Sequence, residues 1–261
     1  MIRNRVFVSF DEPCYYQCKH CYTYGINRNE FRSMEKIVDS ISNEAFDIIY
    51  VSQKTDNFSD PSRGLELCEK LFEKYEKDMF IITRSIFDGS HIERLLKLKY
   101  IMSLKKKNLF IAISLNALSS NYISEDPCRV SSPSERIRFL DSLAKNGLNP
   151  ILMLRPIFPN SIIPIEECLQ IIERCSKSVS CVVSSELGVN EDVLSRLSLK
   201  WTDFEYLQDN EYLQGAIDCK IDFINVRKEL LAIKNKCIEL KCNYFKHSIP
   251  ALNFLLQSMA M

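Results

Sequence analysis

The chain reads Cys14-Tyr15-Tyr16-Gln17-Cys18-Lys19-His20-Cys21 immediately after an apolar, strand-like run at residues 6–10. Three thiols therefore lie within eight residues, at spacings of four and three. Three thiolates are one fewer than the four that close a structural zinc site or ligate every iron of a [4Fe–4S] cluster. The spacing predicts a metal site that keeps one coordination position open for chemistry.

The composition is that of an ordinary globular protein, and it limits the function classes. Hydrophobic residues make up 46% of the 261 residues, which is enough for one large core. Lysine and arginine (34) balance aspartate and glutamate (34), so no net field draws the chain to nucleic acid or an anionic membrane. Residues 1–13 lack a signal-peptide pattern, and no apolar run approaches the ~18 residues of a membrane span. We expect a cytoplasmic protein with no membrane partner.

The cysteine count favours a reducing compartment. Eleven is an odd number, and disulfide scaffolds are usually much shorter than this chain. Four of the cysteines have apolar neighbours in predicted helices or strands, where a thiol usually acts as a small hydrophobe. These predicted core residues are Cys68, Cys168, Cys175 and Cys181.

Short β-branched or aromatic runs alternate with charged, helix-periodic stretches. The predicted strands are residues 6–10, 47–51, 79–83, 109–114, 150–155 and 178–183. The predicted helices lie at about 30–45, 62–77, 90–104, 134–146 and 164–177. Parallel strands joined by helical crossovers have this spacing, so the chain is an α/β barrel or a doubly wound sheet. Ser132 and Glu135 predict a capping box around Pro133, and Gly147 a helix end.

We take the fold to be a partial (β/α)6 TIM-like barrel over residues 1–185. Residues 186–261, with helical runs near 223–241 and 248–258, are predicted to be a helical cap that completes the barrel mouth within the same structural unit. Active sites of parallel barrels form where the strands end, and chemically useful residues stand there. They are Cys14 after the first strand, Ser52 to Asp56 after the second, Arg84 after the third, Ser114 and Asn116 after the fourth, and Arg155 in the fifth.

A Cys-x3-Cys-x2-Cys loop after the first strand of a βα chain resembles the radical S-adenosylmethionine superfamily. The resemblance implies that Cys14, Cys18 and Cys21 bind a [4Fe–4S] cluster and that S-adenosylmethionine chelates its fourth iron. It also implies the activity. One electron cleaves the C–S bond of the sulfonium, and the 5′-deoxyadenosyl radical takes a hydrogen atom from the substrate.

The segment after the second strand departs from the Gly-Gly-Glu motif of many family members and reads Ser52-Gln53-Lys54-Thr55-Asp56. With residues 82–85 and 113–116 it resembles the spore photoproduct lyase-like branch. That resemblance implies a set of cofactor contacts. They are Ser52, Thr55 and Asp56 to the amino group, Arg84 to the carboxylate, Ser114 with Asn116 to the ribose, and His20 to the adenine. Arg155, in a strand ending that also resembles the family, is grouped with them, although it could reach cofactor or substrate.

Structural interpretations of the same residues stay open. Serine and aspartate at a strand end often cap a helix or stabilise a turn, and Arg84 could pair with Asp88 on the surface. The three cysteines could also form a structural zinc site with His20, His91 or His247.

The residues beyond 185 give weaker signals for the substrate. Cys219 is a candidate hydrogen donor, with a bystander cysteine as the alternative. We expect a small-molecule or peptide-like substrate, changed by epimerisation, rearrangement or bond cleavage in biosynthesis, and an electron donor such as flavodoxin or ferredoxin. Nucleic-acid repair or modification is an alternative, and a non-catalytic iron–sulfur or zinc module is another. The first would be favoured by a basic rim of Lys105, Lys106, Lys107, Arg136 and Arg138.

Overall fold

The structure is a computed structural model of the chain. It describes residue 2 and residues 4–24, 31–41, 45–52, 54–119, 129–207 and 221–260. Cys219 lies outside the described residues, so its predicted role as a hydrogen donor stays a prediction.

A parallel sheet of seven strands forms the centre of the fold, in the order β1-β2-β3-β4-β5-β6-β10. Its strands are β1 (Arg5–Val8), β2 (Ile48–Val51), β3 (Asp78–Thr83), β4 (Leu109–Ser114), β5 (Ile151–Ile157), β6 (Cys181–Glu186) and β10 (Tyr244–Phe245). The α/β prediction is confirmed, and six of these strands are the predicted ones. The sixth begins three residues later than predicted, because residues 178–180 still belong to the turn that follows a helix.

Helices accompany the sheet, and most of them lie in the crossover connections between its parallel strands. They are α1 (Met34–Asp39), α2 (Pro61–Tyr75), α3 (Gly89–Leu104), α4 (Pro133–Lys145), α5 (Ile165–Cys175), α6 (Glu191–Leu197), α7 (Arg227–Glu239) and α8 (Ser248–Ala260). The predicted capping box is present, since Ser132 and Glu135 exchange backbone N–H bonds of 2.8 and 3.3 Å with each other's side chains. Gly147 has φ 73°, as a residue just past a helix end requires. None of the described helices is both long and apolar enough to cross a bilayer.

The two faces of the sheet pack against different elements. Alternate strand residues such as Ile49, Ile81 and Ile111 point outward and are buried under helices α1 to α7. The intervening residues, which include Tyr50 and Phe110, point to the inner face. Helix α8 packs on that inner face. Its contribution to the inner core consists of Ala251, Leu252 and Leu255. The four predicted core cysteines are all buried.

Four short strands were not predicted. β7 (Gly188–Val189), β8 (Tyr206–Leu207) and β9 (Asp222–Ile224) form an antiparallel sheet in the order β7-β9-β8, and β10 pairs with β6. Two or three residues are too few to show the alternation that marks a strand in sequence. The described residues beyond 185 therefore extend the main sheet and fill its inner face, besides bordering the mouth.

Candidate functional site

A cavity of about 410 Å³ opens at the carboxyl ends of the parallel strands and continues down the inner face of the sheet. All but one of the described residues predicted for the site line this cavity. They are Cys14, Cys18, His20, Cys21, Ser52, Thr55, Asp56, Arg84, Ser114 and Arg155. Asn116 does not line it. The strand ends therefore bring these residues together, as parallel topology predicts.

The cysteine loop is a compact turn with an apolar side. The Cys21 N–H donates to the Cys18 carbonyl at 2.9 Å. Cys18 is buried against Tyr16 and Val130, and Cys14 and Cys21 pack beside it with part of their surface open to the cavity. Three thiols with apolar packing on one side and an open cavity on the other suit a cluster that must be shielded from water. Among the described residues, no three His, Cys, Asp or Glu side chains converge on one metal-ion position.

Polar groups around the thiols tie the loop to its neighbours. Burial raises the pKa of the Cys14 thiol, while hydrogen bonds from the backbone N–H groups of Asp56 and Tyr16 lower it in part. Backbone N–H donors of this kind stabilise a thiolate. Sγ of Cys21 lies 3.0 Å from Oγ1 of Thr23, whose hydroxyl donates to the Lys54 carbonyl at 2.8 Å. The loop after β1 is thereby held against the loop after β2.

The loop after β2 begins with an unusual backbone conformation at Ser52. Its φ is 78°, in the left-handed region that favours glycine. The Ser52 hydroxyl oxygen accepts the Asn57 N–H at 3.0 Å, which stabilises the turn. Thr55 donates its hydroxyl to the Glu12 carbonyl at 3.1 Å, and this leaves its oxygen lone pairs available as acceptors. The turn packs closely on α2, where a Cβ on Gly64 would lie 2.7 Å from the Asn57 carbonyl oxygen.

Asp56 is buried and serves as an acceptor for three protein donors. Its carboxylate accepts the Phe58 N–H at 3.0 Å, the Thr83 hydroxyl at 2.9 and 3.1 Å, and the Arg84 N–H at 2.7 Å. Burial raises the pKa of this carboxyl, and these hydrogen bonds act in the opposite direction. Asp56 thus joins the loop after β2 to the end of β3. Its bond to the Phe58 N–H is the capping contact that the sequence analysis left as an alternative.

Arg84 and His20 contact each other across the cavity wall, with Nη2 of Arg84 3.3 Å from Nε2 of His20. The His20 ring also meets Phe158 edge to face, with centroids 5.8 Å apart. Asp88 caps α3, where its carboxylate accepts the His91 N–H at 3.0 Å. The structure thus places Arg84 in the cavity and Asp88 at a helix start.

Ser114, Asn116 and Arg155 occupy different environments at the ends of β4 and β5. Ser114 lines the cavity, and its carbonyl accepts a bond from Arg136 at 2.7 Å. Asn116 is 2% exposed, and neither its amide nitrogen nor its amide oxygen has a hydrogen-bond partner among the described residues. Burial lowers the pKa of Arg155, which faces the cavity from β5.

Several cavity residues were not predicted for the site. They are Arg5, Tyr22, Tyr50, Glu186, His247 and Ser248, among others. Arg5 and Tyr50 occupy inward-facing positions of β1 and β2. Because most side chains at such positions are apolar, the polar atoms of these two residues could have indicated that they line a cavity. His247 and Ser248 reach the cavity only because α8 folds onto the inner face, which no local pattern indicates.

The basic rim of the nucleic-acid alternative does not form as one surface. Lys105, Lys106 and Lys107 precede β4 and therefore lie at the amino ends of the strands, opposite the cavity mouth. Arg136 is 1% exposed and bonded to the Ser114 carbonyl, so it is a buried residue, whereas Arg138 is exposed. Arg136 therefore does not belong to an exposed rim, because its face of α4 packs onto β4.

Two solved structures of Streptococcus suis SuiB are similar to this chain. SuiB bound to S-adenosylmethionine matches with a TM-score of 0.61 at 10% sequence identity, over 94% of this chain and 51% of that one. Another SuiB structure gives a TM-score of 0.59 at 11% identity, over 94% and 50%. No family model and no curated protein matches the sequence. The chain spans about half the length of SuiB and shares the fold of that part.

Proposed function

We propose that this protein is a radical S-adenosylmethionine enzyme whose [4Fe–4S] cluster is held by Cys14, Cys18 and Cys21. One observation carries the proposal. The three thiols share a single cavity with the polar strand ends, in a fold shared with SuiB, which has been solved with S-adenosylmethionine bound. Cys14, Cys18 and Cys21 would hold the cluster, and the cluster would supply one electron for cleavage of the sulfonium C–S bond into methionine and a 5′-deoxyadenosyl radical that abstracts hydrogen from the substrate.

The residues of the chain bind and orient these groups. Arg84 offers a guanidinium fork to the carboxylate of S-adenosylmethionine. Thr55 and Ser52 present hydroxyl oxygens, the acceptors that the N–H groups of its amino group need. Asp56 acts on the cofactor through the backbone of Arg84, which it holds in place. Tyr16 and Val130 pack on the apolar side of the loop and shield Cys18 from water.

The volume of the cavity limits the size of the substrate. A cavity of about 410 Å³ lies in the range of ligand cavities, roughly 300–1,000 Å³, which supports a small-molecule or short peptide-like substrate. We place the reaction in biosynthesis, with flavodoxin or ferredoxin as the electron donor. The cytoplasmic location and the spore photoproduct lyase-like branch stay predictions.

The test is reconstitution with iron and sulfide under anaerobic conditions, followed by reduction. We expect about four irons per chain, a visible absorption band, and release of 5′-deoxyadenosine and methionine from S-adenosylmethionine. A colourless protein that holds zinc and no iron would refute the cluster. A coloured protein that never cleaves S-adenosylmethionine would instead favour a binding module.

A further inference from the structure

The part of the cavity next to β5, β6 and α8 has an excess of positive charge. The guanidinium groups of Arg5 and Arg155 supply this charge, the imidazole of His247 lies beside them, and we call these three residues the basic floor. The carboxylate on this side belongs to Glu186, whose Oε1 lies 2.5 Å from Nζ of Lys246. Because Lys246 already balances that carboxylate, Glu186 does not neutralise the floor.

Arg155 gives the clearest indication that this wall suits an anion. Burial lowers the pKa of its guanidinium, Tyr22 and Tyr50 oppose this, and repulsion from Arg84 and Arg5 acts in the same direction as burial. Within the described part of the chain, the structure records neither a hydrogen bond nor an ion pair for Arg155. Arg155 is half-buried at the cavity wall, and a guanidinium that has lost part of its hydration there gains by binding an anion.

The neighbours of Arg155 are held in place to face the same anion. The Arg5 guanidinium stacks on the rings of Phe7 and Tyr50, at 4.9 and 5.3 Å from their centroids. Helix α8, thirteen residues long, begins at this wall with Ser248, so the positive end of its dipole faces the floor. The Ser248 hydroxyl lies 3.2 Å from the Tyr50 hydroxyl, which ties the start of α8 to β2.

We propose that the basic floor binds a carboxylate or phosphate group of the substrate, which makes the substrate a small oxyanion-bearing molecule. This rests on the proposed function, in which Arg84 takes the carboxylate of S-adenosylmethionine and leaves the floor for the second ligand. The guanidinium of Arg155 supplies a planar fork of N–H donors that matches two oxygens of either group. The shared cavity limits the substrate to a small size.

The test measures anion binding directly. Inorganic phosphate, acetate and uncharged acetamide are titrated at constant ionic strength into reconstituted protein that is saturated with S-adenosylmethionine, and binding is read by calorimetry. We expect one of the two anions to bind and acetamide not to bind. Arg155→Gln and His247→Gln should weaken that anion about tenfold or more, as for loss of a hydrogen bond to a charged group. Phosphate would indicate a phosphorylated substrate, and acetate a carboxylate.

The controls separate a local effect from misfolding. Arg174→Gln removes an exposed arginine from α5, outside the cavity, and should bind the anion like wild type. Arg155→Lys keeps the charge and should recover part of the affinity. The affinity for S-adenosylmethionine should stay within about twofold in Arg155→Gln. Absence of anion binding, equal binding by Arg155→Gln and Arg174→Gln, or loss of S-adenosylmethionine affinity in Arg155→Gln would each overturn the proposal.

Failure of the proposed function would look different. The same titration with the protein as purified measures the anion affinity of the basic floor independently of iron and of cofactor cleavage. A protein that binds the anion through Arg155 but neither holds a cluster nor cleaves S-adenosylmethionine would refute the enzyme and leave the anion site standing. A protein that cleaves S-adenosylmethionine but binds neither anion would refute the anion site and leave the enzyme standing.

Discussion

The Arg84 guanidinium donates a hydrogen bond to Nε2 of His20 over 3.3 Å, and this contact links the end of β3 to the cysteine loop. A guanidinium has no acceptor, so Nε2 of His20 must carry the lone pair. Because the Arg84 backbone N–H is held by Asp56 at 2.7 Å, the arginine is fixed at both its backbone and its side chain. An arginine positioned in this way loses little conformational entropy when it binds a carboxylate.

Arg84→Gln should lower the affinity for S-adenosylmethionine about tenfold or more, because it removes charge-assisted hydrogen bonds to the carboxylate. Equilibrium titration of reconstituted protein measures this. Arg94→Gln is the matched control, since Arg94 pairs with Glu69 between α2 and α3 at 2.6 Å. If Arg84→Gln bound as tightly as Arg94→Gln, the carboxylate role would be wrong.

Cys18→Ala should abolish stable cluster binding, because two thiolates cannot hold the cube that three do. Metal analysis and visible absorbance after reconstitution are the readouts. Cys68→Ala serves as the comparison, since Cys68 is fully buried in the outer core. It should keep about four irons and lose about 1 kcal/mol of unfolding free energy through its cavity. Full iron content in Cys18→Ala would contradict the cluster assignment.

Asn116→Leu should raise the free energy of unfolding of the cofactor-free protein by about 1 kcal/mol, because a buried amide without a partner is replaced by an apolar group of similar size. Denaturant titration measures the change. Asn108→Leu should do the opposite, since the Asn108 amide donates to Asp78 at 3.2 Å. If ribose hydroxyls satisfy the Asn116 amide, the more stable variant will also bind S-adenosylmethionine more weakly. Unchanged affinity would remove Asn116 from the ribose site.

His247 should make the protein less stable in acid. Burial, helped by Lys246, lowers the pKa of His247 below 6.5, and Glu186 partly opposes this. Just below pH 6.5 the unfolded chain therefore binds more protons at His247 than the folded chain does. The contribution of neutral His247 to stability is complete above that pH and is lost as the pH falls toward the pKa of the folded state. Unfolding midpoints measured across this window should fall less steeply in His247→Gln. Identical slopes would argue that His247 titrates normally.

Leu252→Ala should cost about 3 kcal/mol of unfolding free energy, because Leu252 on α8 is fully buried against the inner face of the sheet. Leu231→Ala on α7 should cost little, since Leu231 is 57% exposed. Equal and small effects in chemical denaturation would mean that α8 does not pack on the inner face.

The sequence alone determined the cysteine loop and the main strands, because these features depend on neighbouring residues and on strand periodicity. The spacing of Cys14, Cys18 and Cys21 predicted the loop, and alternating apolar runs predicted six strands of the main sheet. Parallel topology then implied that the strand ends meet, and Arg84 and Ser114 do line one cavity with the thiols.

Tertiary structure alone decided which distant residues share an environment. Arg136 and Arg138 are two positions apart on α4, yet one is buried and the other exposed, since only the packed face of a helix is covered. Arg5, Arg155 and His247 come together across most of the chain because α8 folds into the concave face of the sheet. Sequence identified the three thiols of the candidate site, whereas the folded inner face decided which charges line the cavity beside them.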